Sequence, residues 1–505
     1  MRARSLRQCL VAAALAVTLP LTAATAAQAA NEDGNSQGQN GNSQGQNQGS
    51  STTKPRIIVS QDGEVDDMDS FIRFLYYSNE FDIQGIVYSS SRYHYAGDGV
   101  NVQPFRWTGT EWLNHYIDLY EQIYPNLRKH ADGYPSPEKL RSLYKIGNID
   151  NVSEMDKVTE GSEWIKKVVL DNQPGPLYIQ SWGGLNTTAR ALKSIQEQYQ
   201  NDPKWPDIQR KISQKVVIYN ILDQDSTLNG YIKPNWPDLK IVDNQSQFWS
   251  FAYLWTRQVP AANQYALKAP YMEQNFLNGH GPLLEQYRTY RDGKPTPGDD
   301  QNNRWRPDQN LTYGVHDFIS EGDSPSFMYL LDFNGLRSSE NPTYGGWGGR
   351  FATNASGWID TTDVNPTTGA NDRAYPQTRW VADLQNDFAA RADWGVSSKY
   401  SDANHNPTAS VREGLNLQAK VGQTLTLHGR GSDPDGNKLT YRWWEYTDAD
   451  TYAGTVALSG ADTATTSFTV PADAKPGDTI HLILEVTDNG IPALKHYQRV
   501  IVTVK

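Results

Sequence analysis

Three carboxylates fall within six residues of one another at Asp62, Asp66 and Asp67, in the stretch Asp62-Gly63-Glu64-Val65-Asp66-Asp67. Acids gathered this tightly repel unless a cation neutralises them, and an all-oxygen set suits Ca²⁺. A helix N-terminus would attract one or two of them, but it does not account for Asp62 as well. The β-branched run Ile57-Ile58-Val59 precedes them, and Phe71, Phe74 and Leu75 follow at helical spacing. The sequence therefore predicts a strand buried on both faces, an acidic turn and a helix. That places the acids at a strand's C-terminal end, the edge at which open α/β sheets bind ligands.

Further strands are predicted at residues 82–88, 177–181 and 216–222, alternating with helical patterns near 111–127 and 163–170. The alternation implies a parallel, Rossmann-like sheet with helices on both faces. Two of these strands empty into loops rich in polar or small residues, Trp182-Gly183-Gly184-Leu185-Asn186 and Asp223-Gln224-Asp225-Ser226-Thr227-Leu228-Asn229. From residue 406 the texture becomes short alternating strands between Gly, Pro and Asp turns, as in a β-sandwich of about 100 residues. Asp433 and Asp435 lie in one such turn and are read as turn residues.

The acidic stretch resembles the Asp-Pro-Gly-x-Asp-Asp signature of nucleoside hydrolases. More closely, it is similar to the nucleoside-hydrolase-like domain of secreted bacterial proteins described as cellulose-binding. Trp182-Gly183-Gly184-Leu185-Asn186 is similar to the hydrolases' Thr-Gly-Pro-Leu-Thr-Asn loop, and Glu321-Gly322-Asp323 to their late His-Asp segment at a helix start. The segment from Gly431 to Trp443 resembles immunoglobulin-like modules of the polycystic kidney disease and cadherin types. The resemblance implies a nucleoside hydrolase fold, with Asp62, Asp67, Asp323 and the Trp182 carbonyl holding Ca²⁺. It also implies Asp62 as the base that activates water, Asp66 on sugar hydroxyls, and Asp225 or Asn229 as a further sugar contact. The sequence departs from the pattern at Ser60, where the hydrolases carry another Asp, and at Gly322, where they carry a leaving-group His. His280, His316 and Glu321 are the candidates to replace that acid, with His280 placed among substrate-binding residues.

Arg2, Arg4 and Arg7 precede an apolar run and Ala27-Gln28-Ala29, so residues 1–29 read as a secretory signal. Residues 30–53 read as an Asn/Gly/Gln/Ser tether, residues 54–400 as the hydrolase-like domain and residues 406–505 as the immunoglobulin-like one. The single cysteine, Cys9, lies in the signal, so no disulfide or thiolate metal site is expected after it. The formal net charge is −11, and no basic block interleaves with aromatics, which excludes a nucleic-acid polymer as partner. No membrane association is expected once the signal is removed. The 15 Trp and 28 Tyr suit either sugar stacking or a large core. The expected function is a secreted Ca²⁺-dependent hydrolase of N- or O-glycosidic bonds acting on a carbohydrate or nucleoside; the alternative is a non-catalytic carbohydrate (cellulose) binder on the same scaffold.

Overall fold

Alternate residues of the first strand, β1 (Arg56–Gln61), go to opposite faces and both faces are covered. Ile57 and Val59 pack with Phe71 and Phe74, while Ile58 packs with Ile165, Ile179 and Leu192. The β-branched run is thus the buried parallel strand that the sequence predicts. This computed structural model describes residues 54–294 and 313–505. The expected signal and tether, residues 1–53, lie outside them.

β1 is followed by α1 (Val65–Tyr76), β2 (Asp82–Tyr88), α2 (Glu111–His130), α3 (Pro137–Leu143) and β3 (Tyr144–Ile146). Next come α4 (Glu160–Val169), β4 (Leu177–Ser181), α5 (Asn186–Tyr199), α6 (Trp205–Lys215), β5 (Val216–Ile221) and β6 (Lys240–Asn244). With β7 (Phe351–Asn354) and β8 (Gly357–Asp360) they form an eight-stranded sheet in the order β3-β2-β1-β4-β5-β6-β8-β7. All neighbouring pairs are parallel except β7 with β8. The fold is therefore a mostly parallel α/β sheet, as the sequence predicts. Ladder hydrogen bonds continue past the strands, with Ser89 N donating to Gln61 O at 2.7 Å and Trp182 N to Ser60 O at 2.8 Å. These hold the loops after β1, β2 and β4 in register at one edge.

A small pair, β9 (Asp363–Asn365) with β10 (Ala370–Asp372), precedes the helix Val381–Val396. The C-terminal part is β11 (Thr408–Val411), β12 (Asn416–Ala419), β13 (Thr424–Ser432), β14 (Thr440–Glu445), β15 (Thr465–Thr469), β16 (Thr479–Thr487) and β17 (Lys495–Val504). They form two mainly antiparallel sheets, β11-β13-β15 and β12-β17-β16-β14, over a core containing Leu427, Trp443 and Leu484. The Asp433 turn is as the sequence reads it, since Asp433 Oδ1 accepts from the Asp435 and Asn437 amides, both at 2.9 Å.

The sandwich packs on the α/β part through polar and apolar contacts. Tyr497 N donates to Asn334 O at 2.8 Å, and Arg499 donates from Nε to Leu336 O at 2.7 Å and from Nη2 to Gly345 O at 2.9 Å. Asp363 accepts from Tyr446 Oη at 2.8 Å and pairs with Arg379 at 3.1 Å. Tyr446, Ile483 and Tyr497 belong to the same apolar cluster as Phe74 and Phe388. No helix among the described residues is long and apolar enough to cross a membrane.

Candidate metal centre and cleft

The acidic turn is built by α1 itself. Asp67 Oδ1 accepts from Asp62 N at 3.0 Å and Oδ2 from Glu64 N at 3.1 Å, which folds the loop back over the first turn of the helix. Val65, Met68, Phe71, Ile72 and Leu75 then bury the apolar side of α1. Two long-range ties bring Asp323 to this turn. The Trp182 indole donates to Ser326 Oγ at 2.7 Å, joining the end of β4 to the segment that carries Asp323. Arg73 of α1 forms a bidentate ion pair with Glu321, and its Nη2 donates to Glu321 Oε1 at 2.8 Å.

Oxygens of Asp66, Asp67 and Asp323 come within 4.8 Å of one another, all buried. Asp62 adjoins them, and its repulsion reaches both Asp67 and Asp323. Burial, then Asp62, Asp323 and Asp66, push the Asp67 carboxyl well above the carboxylate range; burial, Asp66, Asp62 and Glu64 do the same to Asp323. Neither Asp62 oxygen, nor Asp323 Oδ2, receives a hydrogen bond from a neighbouring donor, although all three atoms are buried. Buried carboxylate oxygens are costly to leave in this condition. The donor set of converging hard oxygens fits a divalent cation such as Ca²⁺. Gly183 keeps the floor open, because a Cβ there would sit 2.7 Å from Asp62 Cβ.

Asp66, Asp67 and Asp323 open onto a cleft of about 80 Å³ whose lining also includes Glu64, Trp182, Tyr93, Arg106, Gln224, Trp249 and Tyr253. Tyr253 Oη donates to Glu64 Oε1 at 3.0 Å and lies 3.3 Å from Asp66 Oδ1. Arg106 and Leu222, both at the cleft, have φ of 47° and 52°, in the left-handed region that non-glycine residues rarely occupy. Such strain collects where a site must hold side chains in place.

The structure thus gathers Asp62, Asp66, Asp67, Trp182 and Asp323. The Trp182 carbonyl already accepts from Gln224 Nε2, which leaves it a second lone pair. It does not bring the other expected residues to the cleft. Asp225 is buried and committed, Oδ1 to Thr227 N at 2.8 Å and Oδ2 to Asn186 N at 2.9 Å, at the start of α5. Asn229 is exposed and donates to Asp223 Oδ2 at 2.7 Å. His280 sits 3.1 Å from Asp393, and His316 2.7 Å from Glu273. Glu321 is held by Arg73, Tyr287 and Ser324. At position 322 a Cβ would lie 2.7 Å from Asp66 Oδ2, so a residue larger than glycine there would have to displace the Asp66 carboxylate. Sequence reasoning missed Glu64, Tyr93, Arg106, Gln224, Trp249 and Tyr253. Glu64, an acid inside the motif, and Gln224, in the polar loop after the strand at 216–222, had a visible signal.

Over residues 56–351 the sequence matches the family model described as cellulose-binding Sde182, nucleoside hydrolase-like domain. The chain belongs to this family. Residues 424–504 match the C-terminal domain of the cellulose-binding protein Sde0182. A solved structure similar to this chain is that of a nucleoside hydrolase-related hypothetical protein from Saccharophagus degradans, described as associated with carbohydrate metabolism. It is 27% identical, its alignment covers 90% of this chain and 100% of that one, and the TM-score is 0.68. A plant nucleoside hydrolase is similar at 11% identity over 67% of this chain and 99% of its own, with a TM-score of 0.31, too distant to bear on the chemistry here. No curated protein matches the sequence.

Proposed function

We propose that the protein is an exported, Ca²⁺-dependent hydrolase of glycosidic bonds in a carbohydrate or nucleoside. In this reading residues 1–29 are the export signal, 30–53 a tether, 54–400 the catalytic part and 406–505 an immunoglobulin-like appendage. Asp62, Asp67, Asp323 and the Trp182 carbonyl would hold the cation, whose charge would lower the pKa of a water in the cleft. Asp62 takes a proton from that water on a carboxylate oxygen. The water oxygen bonds to the anomeric carbon as the bond to the leaving oxygen or nitrogen breaks through an oxocarbenium-like state. The leaving atom takes its proton from solvent, because none of the expected acids reaches the cleft. Asp66 accepts from sugar hydroxyls, and Trp249 and Tyr253 offer ring faces to the sugar.

The observation that carries this reading is the buried Asp62 carboxylate, without a donor and beside three more acids. It is tested by release of reducing sugar or free base from a panel of oligosaccharides and nucleosides, with Ca²⁺ or chelator, against Asp62→Asn. Release that needs both Ca²⁺ and Asp62 supports it; binding without release does not. The second reading, a carbohydrate binder without turnover, is favoured by position 322, where glycine stands in place of a leaving-group histidine. The cellulose-binding description of the family is consistent with either.

A further inference from the structure

Beyond the cleft, the loop after β2 carries a pair of rings that the hydrolytic chemistry does not use. Tyr95 and Phe105 face each other across an antiparallel bridge, Tyr95 N donating to Phe105 O at 3.1 Å and Phe105 N to Tyr95 O at 3.0 Å. Their rings stack with centroids 5.7 Å apart and planes 28° from parallel. Phe105 is 43% exposed. One exposed phenylalanine is ordinary on a protein surface. This one is distinguished by its neighbours, because Tyr93, two residues before Tyr95, and Arg106, directly after Phe105, both line the cleft.

The loop is also held in place. At its base Arg92 N donates to Gln224 O at 2.9 Å, and at its waist Ala96 N donates to Ile149 O at 2.8 Å. At its tip Asp98 Oδ1 accepts from the amides of Val100, Asn101 and Val102 at 2.7–2.8 Å. A pre-positioned ring pair binds without first losing conformational freedom.

The cleft itself is small. Its roughly 80 Å³ is well below the roughly 300–1,000 Å³ of pockets that enclose whole drug-sized ligands, so it takes the end of a ligand while the rest lies outside. Two residues of extended chain span about 7 Å, comparable to one pyranose ring.

We propose that Tyr95 and Phe105 form a second sugar subsite, stacking on the unit next to the one whose ring enters the cleft. The ligand is then the end of a glycan chain at least two units long. This inference rests on the carbohydrate reading of the cleft and narrows it. Titration of the full chain with glucose, cellobiose, cellotriose and cellotetraose tests it. The wild type should gain affinity from one unit to two or three. Phe105→Ala should lose about five- to tenfold on cellobiose and cellotriose, leave glucose unchanged, and be rescued by Phe105→Trp. A length gain that survives Phe105→Ala overturns the subsite while leaving the carbohydrate reading intact. Equal affinity for glucose and cellotriose in the wild type overturns it too. If the wild type binds none of the four sugars and instead binds a nucleoside, both this subsite and the glycan choice fail.

Discussion

In the proposed reaction, Asp62 is the residue on which hydrolysis and binding separate. Asp62→Asn keeps the shape but removes the proton acceptor, and the expected loss of turnover is a hundredfold or more, since positioned acid–base groups contribute roughly 10²–10⁴. Asp323→Asn should instead abolish the rise in melting temperature that Ca²⁺ gives the wild type, because its carboxylate is one that would share the ion; a thermal shift in chelator and in excess Ca²⁺ reads this directly. The three N-terminal acids were legible because one strand, one turn and the first turn of a helix place them within six residues. Trp249 and Tyr253 were not, since they come from a stretch of short turns whose packing has no period to read. Asp225 shows a different limit, because an acid after a strand looks the same in sequence whether it meets a sugar or, as here, the start of a helix.

The element that carries Asp66 and Asp67 is fastened to the segment carrying Asp323 by a buried salt bridge. Arg73 and Glu321 are both fully buried, and Tyr287 and Gln385 also bond to the pair. Removing one partner leaves a buried charge alone, so Arg73→Leu should cost about 3–5 kcal/mol, measured by denaturant unfolding. Combining it with Glu321→Leu should recover much of that loss while still weakening Ca²⁺ binding, because α1 and the Asp323 segment would no longer be locked together. The parallel strands themselves were legible from their apolar runs. The contact between α1 and residue 321 was not, as no local pattern links positions 248 apart.

At the scale of the whole molecule, the sequence reads as a chain of separable modules, whereas the structure seats the sandwich on the α/β part through a charged and aromatic interface. Arg379 lies 3.1 Å from Asp363 and 3.5 Å from Asp448, over the rings of Trp380 and Tyr446. The two parts should therefore melt in one calorimetric transition, and Arg379→Ala should broaden or split it. Protonation of His481 weakens the same interface. Burial, then Arg499, push its pKa down to about 3, and its Nδ1 accepts from Arg499 at 3.1 Å. An unfolded histidine titrates near 6.5, so the unfolded chain binds the extra proton first and stability falls as the pH drops from about 6.5 toward 3. Melting temperatures at pH 7 and pH 5 should differ less in His481→Asn than in the wild type.

Trp182 lines the cleft beside Asp66 and Asp67, and its indole is bonded to Ser326 of the segment that carries Asp323. The ring is 1% exposed and packs edge-on to Phe74 at 6.4 Å. An indole so confined emits at short wavelength, and losing its partner or moving the Asp323 segment would change its emission. The difference in fluorescence between wild type and Trp182→Phe is thus an optical gauge built into the site, able to follow its occupancy by ion or ligand.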